Sequence, residues 1–275
     1  LLPVGASTLP HIFVLVVHAA NGWLVAGLAR RLPGAKAGTG QGGRVLRPKE
    51  ARVAGFLAGL LFVVYPYAAL PVAHFAAVMH PLATLLILGS MHAALSFTDT
   101  GRRRWMALAL VLSLLAAFTH ESGVMAGTIV AAALLLSGRL GLKRHLGWLL
   151  LLAASSAMFL PVWALVPKTP NTFEWLGWGG MAASATFFAQ GPSFPLQPLS
   201  RLAMDHLAEL DTGIPATVVG LPWWNLAVIW VIALLAFLVA ALALRRSGHL
   251  RLMGVALAWN FLATLPSIVV LPFPY

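Results

Sequence analysis

Residues 52–123 read RVAGFLAGLLFVV YPYAALPVAHFAAVMHP LATLLILGSMHAALSF TDTGRRR WMALALVLSLLAAFTHESG. An apolar run, Val53–Val64, ends at the break Tyr65-Pro66. A short segment through His80 leads to a second run, Leu82–Phe97. The basic knot Arg102-Arg103-Arg104 follows, then a third run that closes in Thr119-His120-Glu121-Ser122. Long apolar runs separated by a turn and a cationic knot are the pattern of a membrane hairpin followed by one more crossing.

The rest of the chain extends that pattern. It has 275 residues, of which 60% are hydrophobic and only 9% charged. Soluble domains carry about 25% charged residues, so this chain cannot cover a water-facing surface. We expect an all-α, polytopic integral membrane bundle over residues 1–275 as a single transmembrane domain. Eight apolar runs approach the ~20 residues needed to cross the hydrocarbon core. They are His11–Ala29, Val53–Pro71, His80–Phe97, Trp105–Thr119, Val124–Ser137, His145–Val166, Trp223–Leu244 and Leu252–Leu271. No charged segment precedes the first run, so a signal peptide is not expected.

Charge sets the expected orientation. With eight crossings, sixteen of the eighteen Lys and Arg fall on one side, and only Lys168 and Arg201 on the other. The positive-inside rule makes the basic side cytoplasmic, as for a multi-pass plasma or inner membrane protein. The net charge of +11 is then an orientation signal that also favours anionic lipid headgroups, and no nucleic-acid partner is expected. Residues 30–52 form a Gly-rich basic linker without the GxxxxGK[ST] spacing of a phosphate loop. Residues 167–222 form the one sizeable outer loop. Within it, 198–210 places Leu199, Leu202, Leu207 and Leu210 on one side and Arg201, Asp205 and Glu209 on the other, an interfacial helix. There are no cysteines, which excludes disulfides and thiolate metal sites.

Ionisable groups near membrane depth are the first candidates for function. Glu121 is the one acid between two short apolar runs, and His120 precedes it. A helix end favoured by its dipole explains Glu121 equally simply. His74 and His80 flank the segment after Tyr65 and could meet His120 around a phosphate or metal, or serve as interfacial side chains. His18 and Asn21 share a helical face, where a packing role is the plainer reading. Asp205 and Glu209, one turn apart, have oxygen ligands for Mg²⁺ or Mn²⁺, or form a solvated helix face. His92, inside the third run, is the best-placed imidazole for a bound pigment.

Several of these stretches, in order, resemble a known family. They are the H-x-x-N helix (His18-Ala19-Ala20-Asn21) with a double-Arg exit, Ala54–Pro66, Val72–Ala77, Arg102-Arg103-Arg104-Trp105, and the helix closing in His120-Glu121-Ser122. The order resembles the GT-C superfamily of membrane glycosyltransferases, in particular its protein O-mannosyltransferase-like and tetratricopeptide-associated mannosyltransferase-like members. The resemblance covers about residues 7–138. It implies a polyprenyl-phosphate sugar as donor at the outer face, with lipid-linked sugar and membrane lipids as partners. It also implies a base or metal-ligand carboxylate in a loop that would fall ahead of Leu1. On the family pattern, Glu121 and His120 become candidate catalytic residues, and His74, His80 and Tyr65 line the donor. This chain has Tyr65-Pro66 where the family often has His-Pro, Met79-His80-Pro81 in the region of its Arg and Asp, and His120-Glu121 where Lys-Glu is common. The alternative from the same residues is a non-catalytic subunit, a degenerate form of that fold packed into a larger membrane complex.

Overall fold

A computed structural model describes residues 4–32, 47–64, 78–165, 223–246 and 250–270. Among these residues all regular structure is helical, with no strand. The helices are α1 (Val4–Arg31), α2 (Pro48–Val64), α3 (Met79–Thr100), α4 (Arg103–Ala117), a 3-10 turn (Glu121–Met125), α5 (Ala126–Leu136), α6 (Leu142–Ala157), α7 (Phe159–Leu165), α8 (Trp223–Arg246) and α9 (Leu250–Val270). The chain divides into two compact units, residues 1–166 with 247–263, and residues 167–246 with 264–275.

In the first unit the helices reverse direction one after another, and the contacts fix this. His18 of α1 meets Val63 of α2, whereas Arg30 meets Gly55, so the two run antiparallel. Asn21 meets Pro81, Leu24 meets His92 and Arg31 meets Asp99, so α1 and α3 run parallel. Ser90 of α3 bonds the Ala109 carbonyl and Ser113 of α4, both at 2.8 Å, and Gly127 of α5 lies on the Leu152 carbonyl of α6. One end of the unit therefore gathers Arg31, Asp99 and Arg139, and the other gathers His80 and His120. We call these the arginine end and the histidine end.

Small residues set the spacing of α1 and α2. A Cβ on Gly59 would stand 2.7 Å from the Gly22 carbonyl, and one on Gly55 would stand 2.7 Å from the Ala26 carbonyl. Gly55 and Gly59 form a GxxxG ridge, the arrangement that lets membrane helices approach backbone to backbone. The ridge here joins two helices of one chain. The core behind it is apolar: Leu88, Met91, Leu95, Met106, Val130, Leu134 and Leu152 are buried. Trp148 meets Phe97 edge-on at 5.7 Å beside them.

Length separates the helices into two groups. Leu9–Arg31 and Met79–Thr100 are long and apolar enough to cross a membrane. Shorter apolar helices cover Ser122–Leu136, His145–Ala157, Trp230–Arg245 and Leu250–Leu265. The 15 residues of α4 rise only about 22 Å, less than the ~30 Å hydrocarbon core. The run expected over 145–166 is two helices, because Pro161 lacks the N–H that would bond the Ala157 carbonyl and so opens α7 instead of extending α6. Within α6 the backbone also leaves helical geometry at His145 (φ −124°, ψ 18°).

In the second unit α8 is apolar along its length, with Leu234 and Val239 largely exposed and Ala233 buried.

Candidate functional site

The histidine end is built on a tight turn. Helix α4 closes at Ala117, and its last carbonyls are taken up locally: Thr119 N–H bonds the Ala116 carbonyl at 3.0 Å, and the Thr119 hydroxyl bonds that of Leu115 at 2.7 Å. His120 is extended and caps the 3-10 turn. Its Nδ1 accepts from the Ser122 N–H at 3.2 Å and lies 3.0 Å from the Ser122 hydroxyl. That leaves Nε2 as the ring nitrogen carrying the proton. Gly123 is required by space, since a Cβ there would fall 2.0 Å from the Ala116 carbonyl. Glu121 opens the turn one residue after the cap, so its position along the chain is set by this geometry.

His80 stands at the start of α3, and its ring lies on that of His120 with centroids 3.8 Å apart and planes tilted by 48°. Two neighbouring groups hold His80 in place. The Thr84 hydroxyl donates to the His80 carbonyl at 2.9 Å, and Asn21 Nδ2 reaches from α1 to the Pro81 carbonyl at 2.8 Å. Asn21 is only 1% exposed, and its Oδ1 has no hydrogen-bond partner among the described residues. One turn earlier, His18 Nε2 donates to the Val63 carbonyl at 3.1 Å while its ring packs on Phe62 at 5.4 Å. A polar seam thus runs through α1 and joins α2 and α3 beneath the histidine end.

At the arginine end a single carboxylate joins α1, α3 and the segment after α5. Asp99 accepts from Arg31 through Oδ2 and from Arg139 through Oδ1, both at 2.8 Å. Arg31 also reaches the His92 carbonyl at 3.1 Å and the Ser96 hydroxyl at 3.3 Å, and Arg139 donates to the Arg31 carbonyl. His92 has Nε2 2.9 Å from the Leu24 carbonyl and Nδ1 3.2 Å from Arg31, with its ring against Gly27. Both ring nitrogens are occupied within the chain, so His92 serves here to pack α3 against α1.

The structure brings His80 and His120 together, and Glu121 follows directly in the chain. Tyr65, His74, Asp205 and Glu209 lie outside the described residues, as does the side chain of Glu121. Among the described residues no group of three or more His, Asp or Glu has the geometry to hold a metal. Sequence reasoning missed the arginine knot. Asp99 was legible as an acid on the basic side, but its partners are 68 and 40 residues away, and no local spacing announces them. Comparison with family models, with curated proteins and with solved structures gives no match to this chain.

Proposed function

We propose that the chain is a multi-pass membrane protein with its arginine end in the cytoplasm, and that its histidine end transfers a sugar from a polyprenyl-phosphate donor. The observation that carries the proposal is the His80–His120 pair beside Glu121, at the end away from the arginines. Sugar transfer forms a bond from an acceptor oxygen to the anomeric carbon and breaks the bond from that carbon to the phosphate oxygen. The acceptor proton passes to a base, and the phosphate leaves with the negative charge. His120 offers an imidazole to the leaving phosphate, with its Nδ1 held by Ser122. His80 lies within the same reach. Glu121 is the carboxylate nearest in sequence to that pair, suited to orient the acceptor or donor. The wider crossing count belongs to this reading: short helices such as α4 and α5 cross by spanning a thinned bilayer, which costs fractions of a kcal/mol per Å of mismatch.

The test is transfer of radiolabelled sugar from a polyprenyl-phosphate donor by reconstituted protein. His120→Ala and His80→Ala should each lower transfer by about 10²-fold, the lower range for a positioned proton donor. Full transfer by both variants would remove the histidine end from the mechanism. The second reading is a non-catalytic subunit, and it is favoured by broad apolar exposure at Trp23, Phe56 and Leu61. It predicts no transfer by the wild-type chain and purification at fixed stoichiometry with another membrane protein.

A further inference from the structure

The arginine end has more cation than its carboxylate accounts for. Both Asp99 oxygens are engaged, one by Arg31 and one by Arg139. A third guanidinium, that of Arg251, lies over Gly138, where a Cβ would come 2.9 Å from its Nη1. Gly138 has φ +72°, so the backbone there turns in the left-handed region and leaves the space that Arg251 fills. Arg251 takes no share of Asp99. Next to it, Arg139 Nε is buried and has no hydrogen-bond partner among the described residues. The junction between the end of α5 and the start of α9, here called the notch, thus holds Arg251 over Gly138, the residue before Arg139 of the Asp99 cluster.

The walls below the notch are apolar. Leu250, Gly254 and Leu257 recur along one side of α9 at helical spacing, and Gly254 lies 3.9 Å, measured from a built Cβ, from the Leu136 methyls of α5. Leu135, Leu136, Leu250 and Leu257 are all exposed. A free anion has no use for such walls, and an acidic protein segment would leave them uncovered. An amphiphile satisfies both parts, with its charge at the guanidiniums and a chain along the leucines.

We propose that this notch binds the headgroup of an anionic phospholipid from the basic leaflet, with Arg251 as its principal contact and an acyl chain lying along Leu136, Leu250 and Leu257. The inference rests on the membrane reading above and is independent of sugar transfer. A basic recess between helices at the membrane boundary is a recognised mode of anionic-headgroup binding.

The experiment is to exchange the purified full chain into vesicles of mixed phosphatidylglycerol and phosphatidylcholine, re-extract it gently, and measure the phosphatidylglycerol retained per protein. Arg251→Gln should lower retention about fivefold, whereas Arg102→Gln, which removes the same charge from the same end but outside the notch, should leave it unchanged. Gly254→Leu, which narrows the apolar wall without altering charge, should also lower retention. Equal losses from Arg251→Gln and Arg102→Gln would show diffuse charge attraction and overturn the site. Undiminished retention in Arg251→Gln would overturn it as well. Loss in Arg251→Gln with full retention in Gly254→Leu would show a headgroup contact without an acyl seat and overturn the placement of the chain along the leucines. Failure of the membrane reading is a separate result: the wild-type chain would then be recovered in the aqueous fraction without detergent.

Discussion

Asp99 ties α1, α3 and the segment after α5 through two arginines, yet its side chain is 42% exposed. Solvent screens such a pair, so its contribution is modest, whereas Arg139 is only 16% exposed and suffers more if left without a partner. Asp99→Asn should therefore lower stability by ~1–2 kcal/mol, read as the unfolding midpoint in detergent. Asn21 carries the opposite expectation. Its amide makes one interhelical hydrogen bond to Pro81 and leaves Oδ1 without a partner among the described residues. Asn21→Leu keeps the approximate volume and removes the orphan together with the bond. It should change stability by less than about 1 kcal/mol in the same measurement, although the residue is fully buried. The sequence placed Asn21 and His18 on one helical face and made packing the plainer reading. It did not show that Asn21 would reach Pro81, beside His80, because that contact spans 60 residues and depends on how α1 and α3 cross.

Glycines determine how closely neighbouring helices approach, and they do not act alike. A Cβ at Gly127 would fall 1.8 Å from the Leu152 carbonyl and 2.3 Å from the Ser155 hydroxyl, so α5 and α6 must part to admit it. At Gly147 of α6 a Cβ meets nothing within 4 Å. Gly127→Ala should cost more than about 2 kcal/mol, in the range of overpacked interiors. Gly147→Ala should be neutral or stabilising by up to ~1 kcal/mol through helix propensity. Thermal unfolding of the two variants side by side checks this, and equal effects would show that α5 and α6 do not pack as described. Apolar run lengths made helices legible throughout, and the ends of α3, α8 and α9 fall within a few residues of the runs. The pairing glycines were not legible, because GxxxG spacing marks a close approach without naming its partner. The break before α7 depended on Pro161, whose effect on the single run over 145–166 is local and steric.

For the whole molecule, the proposed topology has a direct test. The chain has no cysteine, so single cysteines report without background. Thr119→Cys, in the turn at the histidine end, should react with an impermeant maleimide on intact cells. Thr100→Cys, at the arginine end, should react only after the membrane is permeabilised. Labelling of both from one side would undo the orientation and the sugar-transfer proposal with it. Charge bias in the sequence led to the expectation that the basic loops share one side of a membrane; in the structure Arg31 and Arg139 lie together at one end of the first unit, and Arg251 lies over Gly138. It could not anticipate that a carboxylate would bind two of them. That knot also bears on biosynthesis. Arg31 and Asp99 leave the ribosome long before Arg139, so for the time needed to make the intervening 40 residues the Asp99 charge is shared by one arginine instead of two. The bond from Arg31 to Asp99 needs only the first three helices, and the second partner of Asp99 arrives with the segment after the fifth.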